Sequence, residues 1–188
     1  MTDLDAAGRT LLAELRAHSL VLGEVTLSSG AVAQYYVDAR RALLRPAGFR
    51  AAGALIAAAA TEAGATAVGG PVMAAIPLAC AAIAVSGGAD LVAFFVRKER
   101  KQHGLQRWVE GPVGPGARCL VVEDTVTTGG STASAIERIR EEGLEVAAVL
   151  GVVDRLAGGG AAIEASAGAP YRALVTIDEL YPNRPDRD

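Results

Sequence analysis

Apolar and polar positions follow two rhythms along this chain. Leu4, Leu11, Leu12 and Leu15 recur at helical spacing, which predicts an amphipathic helix over residues 4–17. Residues 25–27 and 35–37 are short β-prone runs on either side of Ser28-Ser29-Gly30 and predict a hairpin. Pro46 opens an alanine-rich helical stretch that ends near Gly64. Beyond it, strand-length apolar runs at 66–68, 91–96, 119–122, 146–153 and 171–176 alternate with helical patterns at 76–85 and 131–142. The second of these helices carries Ala135, Ile136 and Ile139 on one side, and Gly143 is its stop. Gly158 to Gly160 reads as a loop, and Asp178 as the cap of a short last helix.

Strands alternating with helices predict an α/β fold with a parallel sheet covered on both faces, and the unbroken apolar run at 146–153 suits a strand buried on both sides. The 188 residues suit one domain. Its first part, about 1–45, reads as an N-terminal hood of helix and hairpin, and about 46–188 as the α/β core. Residues 63–89 hold no charged side chain, long enough for a membrane span. Gly69-Gly70-Pro71 and Pro77 interrupt the stretch, so it reads as a buried strand, a loop and a buried helix.

Composition narrows the function classes. Aromatic residues make up only 4%, which leaves few stacking platforms, and the net charge of −3 does not suggest a general nucleic-acid binder. Cys80 and Cys119 both lie in apolar runs and read as buried free thiols of a reducing compartment. The N-terminus carries Asp3 and Asp5 and no basic segment ahead of an apolar one, so a cytoplasmic location without a secretory signal is expected.

Two segments carry candidate chemistry. The first is Leu120-Val121-Val122-Glu123-Asp124-Thr125-Val126-Thr127-Thr128-Gly129-Gly130-Ser131. An apolar strand ends in two carboxylates, and a loop of hydroxyls and glycines leads into a helix. Adjacent carboxylates suit vicinal hydroxyls or a hydrated magnesium ion. Glycines let the backbone approach a ligand, and the free N–H groups at a helix start favour a phosphate. Together they describe a ribose 5-phosphate cradle at the carboxyl edge of a sheet. The plainer alternative is a strand-to-helix turn with Ser131 or Thr128 as N-cap. The spacing is that of neither a P-loop nor a dinucleotide fingerprint. The second segment, residues 97–116, has no periodicity. It begins Arg97-Lys98-Glu99-Arg100-Lys101-Gln102-His103-Gly104, and its length and charge suit a functional lid or a solvated loop.

Residues 121–131, VVEDTVTTGGS, resemble the 5-phosphoribosyl 1-diphosphate (PRPP) binding motif of type I phosphoribosyltransferases, in the form seen in orotate phosphoribosyltransferases. Arg97, Lys98, Lys101, His103 and the trailing Glu110-Gly111 resemble that family's catalytic hood loop. The resemblance runs from about residue 11 to 178. It implies a type I phosphoribosyltransferase fold with a small N-terminal hood and a flexible catalytic loop. It implies that Glu123 and Asp124 meet the ribose hydroxyls and that Thr125, Val126, Thr127, Thr128, Gly129, Gly130 and Ser131 cradle the 5-phosphate. Arg97, Lys98, Lys101 and His103 would bind the diphosphate, with Lys101 and His103 catalytic. Arg155, in Gly151-Val152-Val153-Asp154-Arg155, would anchor the orotate carboxylate, with Thr127 also on orotate. From the dipeptide alone, Asp154-Arg155 also reads as a surface ion pair.

By the same resemblance the substrates are orotate and PRPP, with neither nucleic acid nor membrane as partner. Mg²⁺ would be held mainly by PRPP and water, with no direct protein ligand. The product would be orotidine 5′-monophosphate of de novo pyrimidine synthesis, and a homodimer would share the hood loop between subunits. Two positions depart from many relatives. Ser28 stands where they carry Lys, and the loop at Ala74 lacks a Lys that some have. Tyr36 would pack on the pyrimidine or in the core, and Gly69-Gly70-Pro71 would hold a strained or cis peptide. Two alternatives stay open. A phosphoribosyltransferase for another base would keep Glu123 and Asp124 without needing Arg155. A non-catalytic PRPP-sensing regulator would keep the phosphate loop without the hood cations.

Overall fold

In the computed structural model, residues 3–26, 30, 32–87, 90–100 and 107–187 are described. The chain opens with helix α1 (Asp3–His18), whose first turn is acidic and last turn basic, in accord with the helix dipole. Leu11 and Leu15 are its buried face. Strands β1 (Leu20–Thr26) and β2 (Val32–Val37) pair antiparallel as a separate two-stranded sheet. A single turn, α2 (Arg40–Leu43), which has no sequence period to announce it, leads to α3 (Pro46–Glu62), with Pro46 in its first turn as expected.

The main body follows as β3 (Ala67–Pro71), α4 (Ala75–Val85), β4 (Val92–Val96), β5 (Val109–Glu110), β6 (Arg118–Val126), α5 (Gly130–Glu141), β7 (Glu145–Asp154), α6 (Gly159–Ala167), β8 (Tyr171–Thr176) and α7 (Ile177–Leu180). The sheet runs β5-β4-β3-β6-β7-β8 and is parallel except for β5 against β4. Each parallel strand of the middle is apolar on both faces. One buried cluster joins Leu11, Leu15, Ile56, Leu78, Leu150 and Ile177 on one side, and another joins Phe94, Val121, Ile136, Ile139 and Ile163 on the other.

Strand order reverses at β3, which pairs with β4 on one side and β6 on the other. Crevices at the carboxyl edge of such a reversal are where open α/β sheets bind ligands. Close approach there requires glycine. A Cβ on Gly69 would fall 2.1 Å from the Phe94 carbonyl oxygen, and one on Gly70 2.2 Å from that of Val122.

Several expectations change. Gly159 and Gly160, expected in a loop, are instead the first residues of a helix over 159–167. Gly158 caps it in a left-handed conformation, and its small side chains hide the helical period. The last helix is capped by Thr176 in a reciprocal pair with Glu179, not by Asp178. Cys119 is buried but Cys80 is exposed. Helix α4 is apolar all round, so its sequence could not tell which side would face out. No helix among the described residues is long and apolar enough to cross a membrane.

Candidate active site

The β6–β7 register sets Thr125 opposite Val153 and Val126 opposite Asp154. The Arg155 N–H then donates to the Val126 carbonyl at 2.8 Å. The segment leaving β7 therefore starts beside the loop leaving β6. That is why Arg155 and Thr127 line one cavity of about 220 Å³, together with Tyr36, Asp38, Arg40, Asp124 and Thr125. A second cavity, of about 130 Å³, is enclosed by residues 125–132 and shares Thr125 and Thr127 with the first. The smaller cavity is a cup of hydroxyls and backbone at the start of α5.

Gly129 is the N-cap of α5, at φ 79°, with no side-chain capping bond. Neither Thr128 nor Ser131 caps the helix. The Ser131 hydroxyl instead donates to Glu123 Oε2 at 3.0 Å, and the Thr132 hydroxyl does the same at 3.0 Å. Glu123 is only 6% exposed, and a buried carboxylate without donors would be costly. Burial, reinforced by the adjacent Asp124, pushes its pKa up to about 7, and the two hydroxyls offset this only in part. Asp124 is also raised, chiefly by burial, although its Oδ1 accepts the Thr125 N–H at 2.8 Å and Arg40 pulls the other way.

Arg155 stands over the Tyr35 ring at 5.0 Å, and its Nη2 donates to the Tyr35 hydroxyl at 3.2 Å. Its Nε, like Thr125 Oγ1, is buried with no partner among the described residues. An unpaired buried donor costs about 1–3 kcal/mol. These two atoms mark where a ligand would complete the site. Asp154 is not a surface partner of Arg155. It is buried, accepting from the Leu156 N–H at 2.7 Å and the Tyr171 hydroxyl at 3.0 Å, and so holds the turn from which Arg155 projects.

The basic segment is anchored to the far end of α5. The Arg97 N–H donates to the Trp108 carbonyl at 2.9 Å. Trp108 Nε1 donates to Glu141 at 2.8 Å, and its backbone N–H to Glu142 at 2.8 Å. Arg138 stacks on the Trp108 ring at 4.4 Å and donates to the Arg97 carbonyl at 2.9 Å. The Arg97 side chain pairs with Glu110 at 3.6 Å, whereas Lys98 is exposed. Lys101, His103 and Ser28 lie outside the described residues. Beyond β3, the peptide between Val72 and Met73 is cis, two bonds past the Gly69-Gly70-Pro71 run expected to hold such a feature.

Sequence reasoning missed Tyr35, Arg40, Thr132 and Trp108. Alternation along β2 buries Tyr35 at 4% exposure and leaves Tyr36 at the cavity wall, but that alternation becomes visible only once the strand's facing is known. Thr132 had a signal, since the hydroxyl after Ser131 also lies on the first turn of α5. A larger cavity, about 400 Å³, lies at the opposite edge of the sheet. It is lined mainly by alanines of α3, with Asp90 its one charged side chain among the described residues, and the Thr61, Thr66 and Ser86 hydroxyls there already donate to backbone carbonyls.

Among the described residues, no group of three or more His, Cys, Asp or Glu side chains is placed to hold a metal. The carboxylate pair alone fits a magnesium ion carried mainly by substrate oxygens and water.

A model of the phosphoribosyl transferase domain matches residues 41–164. The chain is 46% identical over 179 residues to orotate phosphoribosyltransferase of Streptomyces avermitilis, covering 94% of this chain and 98% of that protein. Crystal structures of Mycobacterium tuberculosis orotate phosphoribosyltransferase superpose well. The complex with Fe(III) dicitrate gives a TM-score of 0.83 at 42% identity, over 93% of this chain and 99% of that one. The complex with PRPP gives 0.79 at 38% identity, over 93% and 98%.

Proposed function

The chain belongs to the orotate phosphoribosyltransferases of the phosphoribosyl transferase domain family, and from that premise we propose how its residues carry the reaction. Ribose 5-phosphate passes from PRPP to orotate. The bond from orotate N1 to C1 of the ribose forms as N1 gives up its proton, the bond from C1 to the diphosphate oxygen breaks, and the electron pair leaves with pyrophosphate, whose oxygens can take up that proton. The product is orotidine 5′-monophosphate.

One observation carries the assignment of roles. Two adjoining cavities share Thr125 and Thr127, one a cup at the start of α5 and the other walled by Arg155 with its Nε unpartnered. The cup suits the 5-phosphate, which would meet the uncapped N–H groups of residues 129–131 and the Thr127 and Thr128 hydroxyls. Asp124, on the wall of the larger cavity, and Glu123, held by the Ser131 and Thr132 hydroxyls, would accept the ribose hydroxyls. The Ser131 hydroxyl, already committed to Glu123, would act by orienting that carboxylate, leaving its backbone N–H for phosphate. The larger cavity would take the base, with Arg155 on its carboxylate, Thr127 between base and phosphate, and Tyr36 along the wall.

Leaving-group charge calls for cations that engage most strongly as the C1–O bond breaks. Arg97, Lys98, Lys101 and His103 would supply them, with Lys101 and His103 at the diphosphate. A bound Mg²⁺ would add charge neutralisation on the diphosphate oxygens. Most of the rate would come from positioning, with no protein nucleophile. Residues of about 1–45 would serve as a hood over the base cavity. A homodimer sharing the basic loop would cover the outer face of α4, where Cys80, Ile83 and Val85 are exposed without any charged residue on the helix. A cytoplasmic location suits the free thiols.

The test is a base panel with PRPP and Mg²⁺, comparing orotate, uracil, hypoxanthine and adenine by pyrophosphate release. Orotate should be the preferred acceptor by at least about two orders of magnitude, since uracil lacks the carboxylate that Arg155 would bind. Comparable rates with uracil would overturn the role given to Arg155.

A further inference from the structure

The Tyr35 hydroxyl accepts from Arg155 Nη2 at 3.2 Å and lies 3.1 Å from both carboxylate oxygens of Asp186. A phenol has one proton. With Asp186 able only to accept, that proton must go to the carboxylate, and the oxygen lone pair must face the guanidinium. The direction of the chain from Arg155 to Tyr35 to Asp186 is thereby fixed.

Its far end is built in. Arg184 Nε holds Asp186 at 3.1 Å while its Nη1 bonds Asp178 on α7, the helix clamped by the Thr176–Glu179 capping box. Tyr181 meets the Tyr35 ring edge-on at 5.3 Å. Tyr35 is thus gripped by the segment that follows α7 and in turn carries Arg155 on its face.

No carboxylate among the described residues pairs with Arg155 directly. A direct Asp or Glu partner would neutralise the guanidinium and compete with an incoming carboxylate. A neutral hydroxyl takes one N–H, fixes the plane, and leaves the guanidinium without a directly bonded carboxylate, with Nε buried and unpaired beside the cavity. The negative charge that steadies the arrangement sits one hydrogen bond further away.

We propose that Tyr35 and Asp186 are positioning residues that orient Arg155 for the carboxylate of the base without neutralising it. The proposal rests on the reading of Arg155 as the carboxylate anchor. Tyr35→Phe keeps the ring and removes the relay, and Asp186→Ala removes its terminus. Asp186→Asn keeps an oxygen that can accept the phenol proton.

Steady-state constants for both substrates, with thermal unfolding alongside, test it. Tyr35→Phe and Asp186→Ala should raise the orotate KM about tenfold, as expected for one lost hydrogen bond to a charged group, while the PRPP KM stays within about twofold. Asp186→Asn should restore most of the loss. In an Arg155→Ala background, Tyr35→Phe should add nothing further. An unchanged orotate KM in Tyr35→Phe and Asp186→Ala would overturn the proposal. So would an equal rise in both KM values with a lowered Tm, which marks a structural role alone. If Arg155→Ala itself leaves the orotate KM unmoved, the anchor reading fails. If Arg155→Ala raises it and Tyr35→Phe does not, only the positioning proposal fails.

Discussion

Replacing Glu123 by Gln should change how stability depends on pH. The parent carboxyl ionises near 4.5 when unfolded and at about 7 when folded, because it is buried beside Asp124. A folded pKa above the unfolded one means that the native state holds the proton more tightly. The resulting stability is complete below pH 4.5 and is lost as pH rises through about 7. At 1.36 kcal/mol per decade, the whole effect is roughly 3 kcal/mol, and the share lost between about pH 6 and pH 8 is roughly 1.3 kcal/mol. For a chain of this length that corresponds to about 3–5 °C in Tm. Asp124 is raised in the same direction and is coupled to Glu123, so the difference between the two proteins reports the pair. Thermal unfolding without ligand, followed by circular dichroism across that pH range, should show the Gln variant gaining on the parent as pH rises. Titration with PRPP in two buffers of different ionisation enthalpy should add a second signature. Ribose hydroxyls donate to an ionised carboxylate, so binding near pH 7 should release roughly half a proton from the parent that the variant does not release. Parallel Tm curves with equal proton release would refute the claim that Glu123 is held part-protonated at the site.

Lys101→Ala should lower kcat by about 10²–10³-fold while the calorimetric Kd for PRPP changes by less than about fivefold, as for loss of a group acting mainly on the developing leaving-group charge. Unaltered turnover would remove its catalytic role. Gly129→Ala would put a Cβ 2.8 Å from the Gly159 carbonyl oxygen and 2.9 Å from Ile163 Cγ1, at φ 79°. It should cost about 2 kcal/mol or more in denaturant unfolding and raise the PRPP KM. Trp108→Phe loses the 2.8 Å bond to Glu141. Steady-state kinetics should show kcat down by several-fold, roughly what one lost hydrogen bond to a charged group supplies, with the orotate KM little changed.

Much of this architecture was legible because the parallel strands are continuous apolar runs and the helices between them carry clear stops. The run at 146–153 and Gly143 before it are examples. The strand-loop-helix order at 120–131 was legible too, because its residue types are dictated by local geometry. What could not be read depended on facing and on distant partners. Helix α6 is mostly Gly and Ala, so Ile163 is the one large apolar residue to mark its buried face. Cys80 faces out on a helix with no polar side to betray its orientation. Tyr35 and Asp186 meet although they are remote in sequence, and periodicity has no access to such a pairing. The Ser131 hydroxyl can cap its own helix or donate to a carboxylate, and the sequence does not say that it meets Glu123.

Helix α5 begins at the smaller cavity and ends at the clamp on Trp108, so it is also a ruler. Its 12 residues span about 18 Å at 1.5 Å per residue, and that span is the same whatever the basic segment does between its two stems. A one-residue insertion in the helix would rotate the Glu141 end by about 100° relative to the cup and disengage both stems together. Insertions within the basic segment would leave the measured distance intact. Insertions are therefore better tolerated in the basic segment than in α5, provided that the residue types at Lys101 and His103 are kept.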